Sequence, residues 1–260
     1  MKRAIFATAL VGSSLVAAGA EAQTLAALVG NNAIAIVDVA AGKVQKSTRI
    51  SGIAGKLLGI DVRPSDGMLY GVTADGNVVT IEPSTGKAML KSKLDTALPE
   101  GAMATVDFNP AADRLRIIGA DGTNLRANVD DGKVTKDGSL RFADGDMLNG
   151  KAPRIVAGAY TNAMKGAKET TLYDVDATGA VLKQAPPNDG VLNSIGALGM
   201  SGENAAFDIV SDGSGGNEAW LLSGGTLYRV DLATGKSVRV AKIAGIKGKV
   251  SDIAALPKAM

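Results

Sequence analysis

The chain has 260 residues, 28 Lys and Arg against 26 Asp and Glu, a net charge of +2, and neither His nor Cys. Those two absences exclude a Ser-His-Asp triad, a thiolate nucleophile, Fe–S and zinc-thiolate sites and disulfides, leaving carboxylates, Lys, Tyr or an oxygen-ligated metal for any chemistry. Charge is scattered and nearly balanced, so neither nucleic acid nor an anionic membrane surface is expected as a partner.

At the start of the chain, Lys2 and Arg3 precede a small apolar run from Ala4 to Ala18, and Ala20-Glu21-Ala22 supplies an A-x-A site. That pattern is a secretory signal, with cleavage expected before Gln23. The run is short for a membrane span, and Gly and Ser interrupt it. Lipid attachment would need a Cys. Residues 1–22 are therefore assigned to a signal peptide and residues 23–260 to a single domain, in the periplasm or outside the cell, with no membrane insertion after cleavage.

Beyond Gln23 one rhythm returns five times. A first turn falls at Asn31-Asn32, Asp75-Gly76, Asp121-Gly122, Thr178-Gly179 and Gly224-Gly225, with spacings of 44, 46, 57 and 46. A second turn ends at Gly42, Gly86, Gly132, Gly190 and Gly235, with spacings of 44, 46, 58 and 45. Two independent rulers agree and place one insertion of about a dozen residues in the same unit. The segments before the first turn ("LAALVG", "LYGVTA", "LRIIGA", "LYDVDA", "AWLLS") and between the turns ("AIAIVDV", "NVVTIEP", "TNLRANV", "AVLKQAP", "TLYRVDL") are short apolar or alternating runs bounded by Gly, Asn and Asp. Such runs are hairpin strands. An earlier strand ("LLGIDVRP", "MATVDFNP", "RIVAGAYT", "AAFDIVSD") and a later one ("KAMLKSKL", "KVTKDGSL", "VLNSIGAL", "KSVRVAKI") bring each unit to four antiparallel strands.

The ends fix the architecture. The mature chain begins on "LAALVG", which lacks an earlier strand, and the C-terminus supplies the missing one as "KVSDIAAL". Pairing of the two closes a ring and leaves only short, protected edges. The expected fold is all-β, a five-bladed β-propeller of four-stranded antiparallel blades sealed by its C-terminal strand. An open array of sheets or a β-sandwich gives no reason for the split first unit.

The segments "GIDVRPSDGMLYGVTADGNVVTIEPSTG", "VDFNPAADRLRIIGADGTNLRANVDDG", "AYTN", "TTLYDVD" and "PPNDGVLNSIGALG" together resemble a bacterial family of exported proteins defined only as a domain of unknown function. The resemblance runs from Leu25 to Leu256. It implies export and an all-β repeat fold, and it implies no reaction and no assigned functional residues.

Candidate site residues are those that depart from the repeat. The unit beginning "RIVAGAYT" is flanked by the longer segments "FADGDMLNGKAPR" and "NAMKGAKET". In the first of these, Asp144, Asp146 and Asn149 offer oxygen ligands to Ca²⁺, although D-G-D-x-x-N is only a fragment of a calcium loop and also suits a solvated acidic turn. Asn124 stands where the other units carry Ile34, Val78, Leu182 and Leu227. A buried amide needs partners, so Asn124 either bonds a neighbouring loop or faces a ligand. Arg126, on the same strand face, suits bidentate capture of a carboxylate or pairing with an adjacent blade. Asp61, Asp107, Asp208 and Asp252 share one position of the first strand in four units, with Gly158 at that position in the remaining one. Turned inward, four carboxylates would converge and call for a cation, and uncompensated they would repel and rise in pKa. The alternative is that each accepts backbone hydrogen bonds from an adjacent blade.

Function is therefore read at a coarse level. The leading expectation is a non-catalytic scaffold that binds a small molecule or a protein, with no resident cofactor beyond a divalent cation such as Ca²⁺. The rival is a divalent-metal-dependent hydrolase of the lactonase-like propeller type, with the metal held by the Asp ring and Asn124.

Overall fold

A computed structural model of the protein describes residues 23–99 and 102–257. The expected signal segment lies outside the described residues. The first blade takes its innermost strand from the end of the chain, β21 (Val250–Ala255), followed outward by β1 (Thr24–Val29), β2 (Ala33–Asp38) and β3 (Lys43–Arg49). Blade two is β4 (Leu57–Val62), β5 (Leu69–Thr73), β6 (Asn77–Ile81) and β7 (Ala88–Lys93). Blade three is β8 (Ala104–Asn109), β9 (Arg114–Gly119), β10 (Asn124–Ala127) and β11 (Val134–Lys136).

Blade four is β13 (Ile155–Tyr160), β14 (Leu172–Asp176), β15 (Ala180–Gln184) and β16 (Val191–Ala197), with the two-residue strand β12 (Arg141–Phe142) added outside β16. Blade five is β17 (Ala206–Ser211), β18 (Asn217–Ser223), β19 (Thr226–Val230) and β20 (Ser237–Lys242). The innermost strands touch in the cyclic order β21, β4, β8, β13, β17 and back to β21. The molecule is a five-bladed propeller.

Closure occurs within blade one. Strand β21 pairs antiparallel with β1 in the register Leu25 to Ala255, Ala26 to Ala254, Ala27 to Ile253 and Leu28 to Asp252. The two strands bury most of their side chains; β1 reads as a small-apolar run after Thr24, whereas β21 carries the buried Asp252 among its apolar residues.

Each seam between blades has its own apolar core. Leu28, Ile34, Ile60 and Val79 fill the seam between blades one and two, and Tyr70, Phe108, Leu115 and Ile117 that between two and three. Tyr160, Leu172, Leu182 and Ile118 lie between three and four, Phe207, Leu221, Val175 and Ala159 between four and five, and Trp220, Leu222, Leu25 and Ile253 between five and one. Full burial of one such side chain is worth about 1.5–3 kcal/mol. The outer strands β3, β7 and β20 are exposed and carry Lys43, Lys46, Arg49, Lys91, Lys93, Arg239 and Lys242, the usual protection of a free sheet edge.

The recurrent second-turn glycines have a packing reason. Gly86 and Gly132 sit at φ +71° and +76°, and a Cβ on either would collide with the carbonyl of Arg49 or Lys93 on the outer strand of the preceding blade. The turn backbone also bridges the seam, since the Gly86 carbonyl accepts from Ser51 N–H and that of Gly132 from Asp95 N–H.

One blade departs from the expected four strands. After β11 the chain crosses outward to blade four, where Gly138 N–H donates to the Asn188 carbonyl and Arg141 N–H to that of Gly190. It pairs there as the parallel strand β12 before returning to the channel at β13. The extra length between the third and fourth units is spent on this detour.

Candidate functional site

Four aspartates stand on the innermost strands, two on each side of the ring closure: Asp61 on β4, Asp107 on β8, Asp208 on β17 and Asp252 on β21, each 3–7% exposed. Each reaches forward to the next blade. Asp208 accepts from Ala255 N–H at 2.6 Å, Asp252 from Ile60 N–H at 3.0 Å, Asp61 from Phe108 N–H at 2.7 Å and Asp107 from Tyr160 N–H at 2.9 Å. Three of them also accept from the residue that follows in their own strand, Val62, Ile209 and Ile253. The repeated aspartate is thus a staple between blades.

The relay skips one joint. In blade four the side chain that faces blade five is Ala159, opposite Tyr173 and packed with Phe207, not Gly158 as the repeat spacing indicates. Gly158 lies instead on the blade-three side, opposite Asp174, on the face that carries Leu172 and Tyr160. Blades four and five are joined instead at the channel mouth, where Asn217 Oδ1 accepts from Asn162 N–H at 2.7 Å and Asn217 Nδ2 donates to Asn162 Oδ1 at 2.9 Å.

Stapling does not use up the carboxylates. One oxygen each of Asp61, Asp107 and Asp208 lies within 4.8 Å of the others, a buried acidic triad that can hold a metal ion; Asp252 lies outside the triad. Oxygen donors of this kind suit a hard cation such as Ca²⁺, which takes six or more oxygens and completes its shell with water. The electrostatics agree with unmet charge. Burial pushes the Asp208 carboxyl up to about 6, against the pull of the Ala255 and Ile209 N–H groups. Asp61, Asp107 and Asp252 are held well above the usual carboxylate range, first by burial and then by neighbouring carboxylates of the ring.

A cavity of about 500 Å³ opens over Asp61 and Asp208 at the end of the channel where the inner strands finish. Pro64, Pro257 and Ala255 wall it, Asp212 adds a carboxylate at the rim, and no basic side chain is among the described residues that line it. Ala163 and Met164, from the second inserted segment, also reach it. The opposite mouth is smaller, about 170 Å³, and carries Arg154, Lys249 and Glu203. The channel is therefore acidic at one end and mixed at the other.

The remaining candidates lie elsewhere. Asn124 and Arg126 sit at the seam between blades three and four. Asn124 Nδ2 donates to the Gly138 carbonyl at 3.1 Å and the Pro187 carbonyl at 3.0 Å, and its Oδ1 accepts from Arg116 Nη1 at 2.8 Å. Arg126 grips both oxygens of Asp137 at 2.6 and 2.9 Å. At the outer side of blade four, Asp146 accepts from Ser194 N–H at 2.6 Å and Ser194 Oγ at 2.8 Å, which pins the inserted segment to β16. Asp144 and Asn149 are exposed beside it.

Arg116, unremarked in the sequence, is the hub of the seam between blades three and four. It is 2% exposed and donates to Tyr160 Oη at 3.1 Å, Asn124 Oδ1, Asp137 Oδ2 at 2.5 Å and Asn188 Oδ1 at 2.9 Å. The signal was positional: opposite Asp107 the chain places Arg116, whereas Asp61 and Asp208 face Tyr70 and Trp220. A second guanidinium, Arg63, bridges Asp113 and Asp130 between blades two and three, where both carboxylates remain partly exposed.

Several solved structures are similar to the chain. A protein of unknown function from Bacteroides thetaiotaomicron is 15% identical, over 90% of this chain and 64% of that one, with a TM-score of 0.52. Another from Bacteroides caccae is 14% identical over 91% of this chain and 100% of that one, with a TM-score of 0.46. A calcium-binding protein, regucalcin, from Agrobacterium tumefaciens is 16% identical over 86% and 70%, also at 0.46. Identity at this level speaks to the fold alone. No curated protein matches the chain. Residues 33–254 match the model of a family described as a domain of unknown function, DUF4394, and the chain belongs to that family.

Proposed function

We propose that this propeller is an exported, non-catalytic binding protein whose ligand occupies the acidic channel mouth, over a divalent cation such as Ca²⁺ held by Asp61, Asp107 and Asp208. One observation carries the reading: the roughly 500 Å³ cavity has Asp61 and Asp208 at its base and acidic side chains as its only charged lining among the described residues. That volume suits a small molecule. The ligand class that fits is cationic, or a neutral or anionic molecule that meets the protein through the metal. Export rests on the sequence from Lys2 to Ala22 and is tested by N-terminal sequencing of the periplasmic or secreted protein, with Gln23 expected as the first residue.

Calorimetric titration of the chelated protein with Ca²⁺ tests the binding reading. Stoichiometric binding that is lost in Asp208→Asn supports it, and a metal-free protein that binds no divalent cation overturns it.

The open cavity above the triad favours one second reading. A cation at its base would keep coordination positions turned toward a bound substrate, as a metal-dependent lactone or ester hydrolase requires. Hydrolysis of simple lactones that disappears on chelation would establish that alternative.

A further inference from the structure

Asp174, on β14, is fully buried at the seam between blades three and four, and neither of its carboxyl oxygens has a hydrogen-bond partner. Gln184 stands beside it: Leu172 pairs with Gln184 and Asp174 with Leu182, so the two polar side chains share one face of the hairpin, two residues apart. Gln184 donates Nε2 to the Pro187 carbonyl at 2.6 Å, while its Oε1 is also buried and unpaired. Pro187 is the residue whose carbonyl accepts Asn124 from blade three, so Gln184 orients a link across the seam. Directly opposite Asp174 is Gly158, where a Cβ would lie 2.5 Å from Asp174 Oδ1, so the backbone is cleared for the carboxyl.

Three buried acceptor oxygens with no donor among them are costly. A single proton on the carboxyl removes the conflict, because a neutral acid supplies the donor that Gln184 Oε1 lacks and leaves no charge in a dry seam.

We infer that Asp174 is kept as the neutral acid in the folded protein, with Gln184 Oε1 as the acceptor of its proton, and that the pair forms a pH-sensitive latch holding blade four against blade three. The charged and titratable groups on this seam are Arg116, Arg126, Asp107 and Asp137 from blade three and Tyr160 and Asp176 from blade four, Asp176 accepting from Arg154 N–H and from Thr178. Burial pushes the Asp174 carboxyl up to about 8 and the Arg116 charge draws it partly back. An unfolded aspartate ionises near 3.8, so the folded state holds the extra proton between those two values. The stability contributed by this group is full below about pH 4, falls as pH rises toward 8, and is level beyond. This inference does not depend on what the channel mouth binds.

Denaturant midpoints of wild type and Asp174→Asn, compared from about pH 4 to about pH 9 in chelator, isolate the group by difference. The expected result is a gap that opens in the variant's favour as pH rises and levels off above about 8. Midpoints that run parallel at every pH overturn the latch. The wild-type protein carries a second readout that does not need the variant to fold, the carbon chemical shift of the Asp174 carboxyl, assigned through its own backbone. Retention of the protonated shift at neutral pH is expected. A carboxylate shift there overturns the inference, as does an ionised Asp174 whose seam is stabilised by added K⁺ or Ca²⁺, which would place a cation where the proton is assigned.

Discussion

The Asp252 carboxylate accepts a hydrogen bond from the backbone N–H of Ile60, 192 residues away in sequence and one blade on. That bond fastens the closing strand β21 to blade two, while the ladder to β1 fastens it within blade one. Replacing Asp252 with Ala leaves the N–H groups of Ile60 and Ile253 without acceptors in a buried site. The expected loss is about 1–3 kcal/mol, read as a drop in urea midpoint.

The same strand tests closure through packing. Ile253 is 2% exposed and lies in the core between blades five and one. Ile253→Ala should cost about 2–5 kcal/mol. A near-wild-type midpoint would contradict a ring sealed by β21.

Stability of the metal-free protein should fall as pH rises through the mildly acidic range. Burial raises the folded-state pKa of Asp208 to about 6 from an ordinary 3.8, so the folded state binds the extra proton between those values. The site's contribution is complete below about pH 4, declines toward pH 6 and is flat above. Asp61, Asp107 and Asp252 shift in the same direction and extend the decline upward. Added Ca²⁺ should flatten the curve, because a cation replaces the protons; thermal melts across the range, with and without chelator, read both limbs.

Asn124→Leu restores the residue type of the other units, yet it should destabilise. Leucine fills the volume but removes the donor to the Gly138 and Pro187 carbonyls and the acceptor for Arg116. About 1–3 kcal/mol is expected in denaturant, with no change in cation binding at the channel mouth.

Gly132→Ala should be far more damaging than Gly145→Ala, although both glycines have positive φ. A methyl at residue 132 meets the Lys93 carbonyl across the seam, whereas residue 145 faces open space. Paired midpoints separate the packing cost at the seam from the backbone cost that both share.

Much of the wheel was legible because a repeated unit reports its own geometry. The two families of turns located every blade, and the unpaired "LAALVG" located the closure. The Asp column was legible as a ring, and its position on innermost strands follows from the phase of the repeat. The substitution at blade four was misplaced by one residue, since sequence spacing counts residues while cross-strand pairing, Ala159 with Tyr173 and Gly158 with Asp174, decides which side each faces. Arg116 and Asp174 were invisible for another reason: each looks like an ordinary solvent-facing polar residue in an alternating strand, and only the seam between blades three and four buries them. Asp146 carried a metal-like spacing, but its neighbours in space, not in sequence, decide its use.

The skipped joint has a consequence for how the wheel comes apart. Carboxylates tie four joints, and their grip follows the proton supply. The fifth, between blades four and five, is tied by the neutral amides of Asn162 and Asn217, which titrate nowhere in the working range of a protein. A shift in acidity therefore retunes four of the five inner-strand joints, while the amide pair of the fifth does not respond to it.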